Sequence, residues 1–402
     1  MTRRRDRPRT ALVIGGGIGG PVAAMALQKA GIDATVFEAH EGSAEFVGSF
    51  LNTASNGLDA LKAIGAHREV LAHGFPTPRM VMWSGSGKRL GEVANGTRLR
   101  DGTASITVER GHLHGALHRQ ATRRGIRIEQ GKRLVSAAPS NGGVTAQFAD
   151  GTEAHGDFLI GADGLHSRTR RLLDPAAPSP RYTGQLSLGG RARLTNLLPT
   201  PEVFHMIFGR HAFFGYSVRE QGDVYWFANM ASAGETTSAS LGTIASAEWK
   251  QKLIDLFRDD EGPAREIVNA SDEIAAFPIY DMPAVPTWHR DAMVIIGDAA
   301  HATSPSSGQG ASLAIEDAVV LAKCIRDRRD ATEAFTTYER LRRQRVERVV
   351  AYSARVGQTK TPGTIGRWLR DLAMPLALKL FANPNAHAWL YGYHIDWSEP
   401  VV

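Results

Sequence analysis

Apolar positions along this chain recur at two different periods, and the changes of period mark out its parts. Ala11, Leu12, Val13 and Ile14 form an apolar run that predicts a strand, and a small-residue helical pattern follows a glycine cluster and ends at Gly31. Ala34 to Phe37 predict a second strand. Leu58, Leu61 and Ile64 share one face of a helix over 55–66, and residues 78–93 predict a β-hairpin around SGSGK. Leu113, Leu117 and Ala121 mark another helix, closed by Gly125. Three short alternating strands come next, IRIE, KRLVSA and VTAQFA, and then a strand, glycine turn and helix in DFLIGADGLHSRTRRLL.

From about 180 to 230 the pattern is different. LSLGGRARL, EVFHMIFG, HAFFGYSV and DVYWFANM are strand-like, aromatic-rich and separated by glycine or polar turns, which predicts an antiparallel sheet. Helices over 246–258 and 262–270 follow. Met293 to Ile296 then predict a strand that ends at Gly297 and Asp298, with a Pro/Ser/Gly loop and a helix from Gly310 striped by Ala314, Ala318, Leu321 and Ile325. The rest reads as helical, with a basic face in ERLRRQRVERVV that Glu339 and Glu347 interrupt.

The first glycine cluster carries chemistry. Gly15, Gly17 and Gly20 have the spacing GxGxxG between a strand and a helix. Gly15 permits the sharp turn, Gly17 lets the backbone approach a pyrophosphate, and Gly20 allows close helix–strand packing. The helix N-terminus then offers free N–H groups and a positive dipole end to the phosphates. Glu38 ends the second strand, where a carboxylate accepts from a ribose 2′-hydroxyl and repels a 2′-phosphate. The resident nucleotide is therefore expected to end in plain adenosine, as FAD and NAD do.

At 402 residues the chain has room for two or three domains. Its net charge is +6, from 47 basic and 41 acidic residues, and Arg3, Arg4, Arg5, Arg7 and Arg9 against Asp6 concentrate much of that excess in the first ten positions. This reads as a solvated basic end, with a twin-arginine export signal as the alternative, and not as a nucleic-acid-binding face. No uninterrupted apolar run reaches 18 residues, so no membrane span is expected. Cys324 is the sole cysteine, which excludes an intramolecular disulfide and points to a reducing, cytoplasmic setting. His112, His114 and His118 read as surface imidazoles on an amphipathic helix, and no metal site is expected.

Three ordered motifs, GGGIGG with Glu38, GADGLHSRTR at 161–170 and GDAAHATSPSSGQGASLAIEDA at 297–318, together resemble the class A FAD-dependent monooxygenases, from about residue 10 to the end. This group is typified by para-hydroxybenzoate hydroxylase and the tetracycline-inactivating monooxygenases. The resemblance implies an α/β fold: a Rossmann-like FAD-binding domain over 10–179 and 286–330, an inserted antiparallel β-sheet substrate domain over 180–285, and a C-terminal helical segment over 331–402. It places Gly15, Gly17, Ile18, Gly19 and Gly20 under the FAD pyrophosphate and Glu38 on the ribose. Arg110 is implied to contact the cofactor, and Asp163 and Gly164, with Ser167 and Arg170, to serve both FAD and NAD(P)H. Gly297 and Asp298 are implied at the ribitol and adjoining phosphate, Pro305 beside the isoalloxazine, and Gly308, Gln309 and Gly310 at the flavin N1/O2 edge. Ala302 and Pro21 depart from the common pattern.

The same resemblance implies that NADPH or NADH reduces the flavin, that O₂ forms a flavin C4a-hydroperoxide, and that one oxygen atom passes to an electron-rich aromatic or polycyclic small molecule by hydroxylation or epoxidation. The expected pocket is the 180–230 sheet and the loop around Asn52, with Phe208, Phe214, Tyr216 and Trp226 as candidate substrate contacts. No catalytic base is identified, since His205, His211, Tyr216 and Tyr225 each read as structural. A flavin-dependent double-bond reductase and a non-catalytic flavin-binding or electron-transfer protein stand as alternatives.

Overall fold

The computed structural model describes residues 9–42, 50–140, 142–232, 234–359, 371–378 and 387–402. The basic end read from the sequence falls on residues 1–8, outside them. The strand Thr10–Ile14 lies inside a six-stranded sheet, parallel to Asp33–Phe37 on one side and to Phe158–Gly161 on the other. Met293–Ile295 continues the parallel order beyond Phe158–Gly161, and Arg127–Glu129 flanks Asp33–Phe37. His289–Arg290 closes the far edge antiparallel. Ala11 to Ile14 are all buried because helix Gly19–Lys29 covers one face of the sheet and a three-stranded antiparallel sheet, Leu134–Ser140, Gly143–Phe148 and Glu153–Gly156, covers the other, with Phe148 stacked on Phe37 at 4.7 Å; the strand is therefore an unbroken apolar run.

Helix Gly19–Lys29 packs on helix Gly310–Asp327 through small residues: a Cβ on Gly19 would touch Ala314 at 3.7 Å and Ile296 at 3.7 Å. The turn at 15–20 and the loop at 297–310, far apart in sequence, therefore open on one cleft. Packing of Val13, Met25, Val36 and Ile160, all fully buried, holds that arrangement, each such side chain contributing about 1.5–3 kcal/mol by burial.

A seven-stranded sheet follows the order Ser271–Asp281, Arg181–Arg193, Asp223–Ala231, Ala212–Val218, Val203–Phe208, Arg79–Ser84, Arg89–Ala94. Its last two strands are the expected hairpin, which lies within 10–179 of the chain but joins the aromatic sheet by a parallel pairing of Arg79–Ser84 with Val203–Phe208. Helices Ser246–Leu256 and Ala264–Asn269 cover one face of this sheet through Trp249, Leu253, Ile267 and Val268. A small sheet of Phe50–Thr53, Ile106–Glu109 and Phe75–Pro76 connects the two large ones.

Helix Ala331–Thr359 packs along Gly310–Asp327. Its basic face is partly interior: Arg342 is fully buried against Glu316 and Asp317, and Arg345 pairs with Glu316 at 2.8 Å. The expectation of helix throughout 331–402 fails at its end. Residues 392–402 contain no helix. There the Asp396 carboxylate takes the N–H and O–H of Ser398, and Lys323 and Arg326 donate to the carbonyls of Asp396, Trp397 and Glu399. Those bonds satisfy the backbone without a helical ladder. Among the described residues no helix is long and apolar enough to cross a membrane.

Candidate cofactor and substrate site

The glycine turn is built as its spacing requires. A Cβ on Gly15, which has φ +104°, would lie 2.4 Å from the Ala162 carbonyl oxygen, and one on Gly20 would lie 1.9 Å from that of Gly15. Gly17 is exposed, and a Cβ there would meet nothing within 4 Å. Two glycines thus serve close packing, and the third faces open space at the start of helix Gly19–Lys29, where Ile18 is the N-cap residue and no side chain caps the N–H groups. This is a cradle that fits a pyrophosphate.

Glu38 reaches the same turn. One carboxylate oxygen accepts the Gly16 N–H at 2.6 Å and the other the His40 N–H at 3.0 Å, and each oxygen retains a lone pair for a ribose hydroxyl. The other end of Gly16 is held as well. His114 Nε2 lies 3.1 Å and His118 Nε2 2.5 Å from the Gly16 carbonyl oxygen, with the two rings 4.0 Å apart. Burial and the adjacent His118 push the His114 pKa down, while the Gly16 carbonyl and Glu38 oppose the change. These two histidines are therefore not surface imidazoles, a correction that follows from the docking of helix Arg110–Arg123 against helix Gly19–Lys29.

Arg110 opens the Arg110–Arg123 helix and is exposed, within electrostatic reach of both His114 and Asp298. Asp298 is crowded by protein on one side, which pushes its pKa up; His301 and Arg110 pull it down and Asp317 pushes it up. Its surface is nonetheless exposed, so the carboxyl forms the floor of the cleft. Gly297, at φ +59°, donates its N–H to Asp317 at 2.9 Å and has Ala314 where its Cβ would be, at 2.9 Å. The remaining loop contains a 3₁₀ turn, Pro305–Ser307, then Gly308 at φ +63° and the N-terminus of helix Gly310–Asp327.

Around that N-terminus lie two buried amide donors that find no acceptor among the described residues, Gln309 Nε2 and Asn52 Nδ2. Gln309 Oε1 accepts from Asn56 at 2.9 Å, and Asn52 Oδ1 accepts from Asn95 at 3.3 Å. Asn52 sits against Gly308, where a Cβ would approach its own Cβ at 3.3 Å. Unmatched buried donors cost free energy unless a ligand supplies acceptors, so this end of the cleft fits a carbonyl-bearing ring.

Asp163 follows strand Phe158–Gly161 and is half-buried. Its carboxylate accepts from Ser167 Oγ at 2.6 Å and from Thr169 N and Oγ1 at 2.9 and 3.0 Å, which starts the short helix Arg168–Leu173. Arg170 is buried and ties the Leu165 carbonyl to that of Ala299. Both hold the GADG turn against the Asp298 segment.

The aromatic sheet divides by parity. Phe214 and Trp226 are fully buried, stacked 5.5 Å apart, under the covering helices, with Tyr216 beside them. These three candidate contacts face away from the cleft, because alternate residues of a strand point to opposite faces. Phe204, Phe213 and Phe227 occupy the other face. Phe50, two residues before Asn52, lies over them at 5.8 Å from Phe204, 6.1 Å from Phe227 and 6.0 Å from Tyr225. Gly215 makes room for this cage, since a Cβ there would strike the Phe227 ring at 2.3 Å. Phe208 belongs to the same face and contacts Phe213 at 5.0 Å. Of the residues weighed as a base, His205 accepts from Trp83 Nε1 at 3.0 Å and stacks on Tyr216, and burial pushes its pKa down to about 4. It sits on the covered face.

Residues 9–353 match the family model described as FAD binding domain. The chain is 30% identical to aurachin C monooxygenase/isomerase of Stigmatella aurantiaca over 92% of its length and 93% of that protein's. It is 31% identical to 3-amino-4-hydroxybenzoate 2-monooxygenase PtmB3 of Streptomyces platensis, over 96% of each. Among solved structures, Klebsiella pneumoniae HpxO complexed with FAD and uric acid superposes with a TM-score of 0.84 at 25% identity, covering 95% of this chain and 97% of that one. A glycine cradle, an exposed aspartate at the cleft floor and unmatched amide donors at a helix start are the parts such a flavoprotein needs, and the chain belongs to this FAD-binding family as a class A flavin-dependent monooxygenase.

Proposed function

We propose that the protein uses NADPH or NADH and O₂ to place one oxygen atom on an uncharged aromatic or polycyclic small molecule. The observation that carries this reading is the cage of Phe50, Phe204, Phe213 and Phe227 on the sheet face that shares β-strand Phe50–Thr53 with Asn52 and hence with Gly308. An apolar ring is held there by area and edge-to-face contact. Arg191, beside the cage, is paired with Glu109 at 3.2 Å, and Tyr225 donates to the same carboxylate at 3.0 Å, which favours a neutral ligand over a carboxylate.

In this reading Gly15, Gly17, Ile18, Gly19, Gly20, Glu38 and Arg110 hold the adenosine and pyrophosphate end of FAD, Gly297, Asp298, Pro305, Gly308 and Gly310 hold its flavin end, and Asp163 serves the cofactor from the GADG turn. The bound flavin supplies the reduction of O₂ and the oxygen transfer. The chain's own residues orient the substrate ring and keep water away from it, Asn52 by its free N–H and the phenylalanines by exclusion. The lone cysteine, buried in helix Gly310–Asp327, supports a reducing, cytoplasmic setting.

The test is anaerobic titration of the yellow protein with NADPH and NADH, followed by air, with paired aromatic compounds that differ by a carboxylate. Faster flavin bleaching with the neutral member, and a product heavier by one oxygen atom, is the expected result. Stimulation by the carboxylate alone would overturn the substrate class, and flavin reduction without any oxygenated product would overturn the reaction.

A further inference from the structure

The Gly16 peptide is gripped from both ends. Glu38 takes its N–H at 2.6 Å, and two imidazoles, from His114 and His118, converge on its carbonyl oxygen at 3.1 and 2.5 Å. A carbonyl oxygen has two lone pairs and donates nothing, so each Nε2 carries the proton of its bond. The pair lies one helical turn apart on Arg110–Arg123, and the buried Leu113 and Leu117 of that helix hold its backbone in place beside the turn.

The Gly16 carbonyl shares a plane with the Gly17 N–H. In a trans peptide the two point in opposite directions, and no cis peptide bond occurs among the described residues. Fixing the oxygen toward the imidazoles therefore aims the Gly17 N–H away from them. Gly17 is the exposed residue of the turn, with open space where a Cβ would be. A glycine triplet has more backbone freedom than any other sequence, and an anion-binding N–H on such a triplet is useful only if something external sets its direction.

We infer that His114 and His118 are positioning residues for the flavin cofactor, orienting the Gly16–Gly17 peptide so that its N–H meets the pyrophosphate. The role rests on FAD as the cofactor and is independent of the substrate. Contact with the cofactor is made by the Gly17 amide, and the histidines act through it.

Flavin fluorescence titration of the apoprotein with FAD tests this, alongside the thermal midpoint of the same apoproteins. The double variant His114→Ala/His118→Ala is expected to raise the FAD dissociation constant about tenfold, which corresponds to about 1.4 kcal/mol, with an apoprotein midpoint close to that of the unmodified chain. The double variant to Gln, whose amide nitrogen takes the place of Nε2, is expected to recover FAD affinity to within about threefold. The double variant to Asn, whose amide stops short at Nδ1, is expected to bind as weakly as the alanine form. Unchanged affinity in the alanine form overturns the inference. So does equal affinity of the Gln and Asn forms, or a loss of affinity that merely follows a lowered midpoint. Binding of FAD by the unmodified chain, measured in the same series, tests the cofactor assignment separately.

Discussion

His301 and Asp317 face each other across 2.5 Å with both side chains buried. The second Asp317 oxygen accepts from Arg342 at 2.7 Å, and the Gly297 N–H completes the set. Burial opposes ionisation of this carboxyl, but its contacts with His301 and the Arg342 guanidinium outweigh it and hold its pKa well below the usual carboxylate range. The wiring joins the cofactor turn at Gly297 to helix Ala331–Thr359, so one carboxylate connects cleft and scaffold.

Asp317→Asn is accordingly expected to destabilise the protein by about 3 kcal/mol, because it removes the carboxylate that His301 and Arg342 share and leaves the buried Arg342 with Glu316 alone. A carboxyl whose pKa is depressed on folding contributes stability that is fully present above its unfolded value of about 3.9 and is lost as the pH falls toward the folded value. Thermal midpoints of the two proteins should therefore differ by a constant amount from pH 7 to about pH 4 and draw together as the pH falls from about 4 toward about 2. A gap that stays constant across that lower range would remove the ionic role.

Gly20→Ala and Gly17→Ala separate the two duties of the glycine turn. At Gly20 the new methyl would sit 1.9 Å from a backbone oxygen, which nothing flexible can relieve, and an overpacking loss of about 3 kcal/mol is expected. At Gly17 the methyl meets no protein atom, so apoprotein stability should change by less than about 0.5 kcal/mol while FAD retention falls. Urea unfolding of the apoproteins and flavin content after gel filtration give the two readouts. Equal stability losses would mean that Gly17 serves packing as well.

Phe227→Ala and Phe214→Ala lie on neighbouring strands but on opposite faces of the sheet. Loss of the Phe227 ring is expected to raise KM for the substrate about tenfold, the weight of one good aromatic contact, with kcat little changed. Loss of the fully buried Phe214 ring should cost about 3–5 kcal/mol of stability and leave KM of the folded fraction unaltered. If the Phe214 variant shifts KM and the Phe227 variant does not, the cleft is on the helix-covered side.

Cys324 is fully buried, and burial pushes its thiol up to about 12. It should stay protonated between pH 6 and 9 and resist iodoacetamide until the protein unfolds. Labelling of the native protein at pH 8 at the rate of a free thiol would contradict the burial.

The strand, glycine turn and helix at 10–29 and the strand, loop and helix at 293–327 were legible in the sequence because glycines, acids and apolar runs occur there in a fixed order. The sheet's two faces were not. Phe213 and Phe214, or Trp226 and Phe227, are both apolar, so alternation, which normally separates a core face from a wet one, carries no contrast when one face meets helices and the other the ring of Phe50. Phe204 and Phe50 were missed for the same reason. His114 and His118 showed an i, i+4 spacing that placed them on one helix side, but the partner of that side was the backbone of Gly16, and a backbone oxygen leaves no mark in a sequence. Asn95, the partner of Asn52, is likewise joined only by tertiary contact.

Glu316 receives Arg345, whose guanidinium in turn donates to the carbonyls of Trp389 and Leu390, while His394 and the Ile395 N–H reach back to Asp59. Helix Gly310–Asp327 is thus tied to residues 389–390, which lie far from the glycine turn in sequence. Residues 15–20 leave the ribosome well before residues 389–395, so the parallel sheet can begin to form before the contacts that hold helix Gly310–Asp327 in place exist.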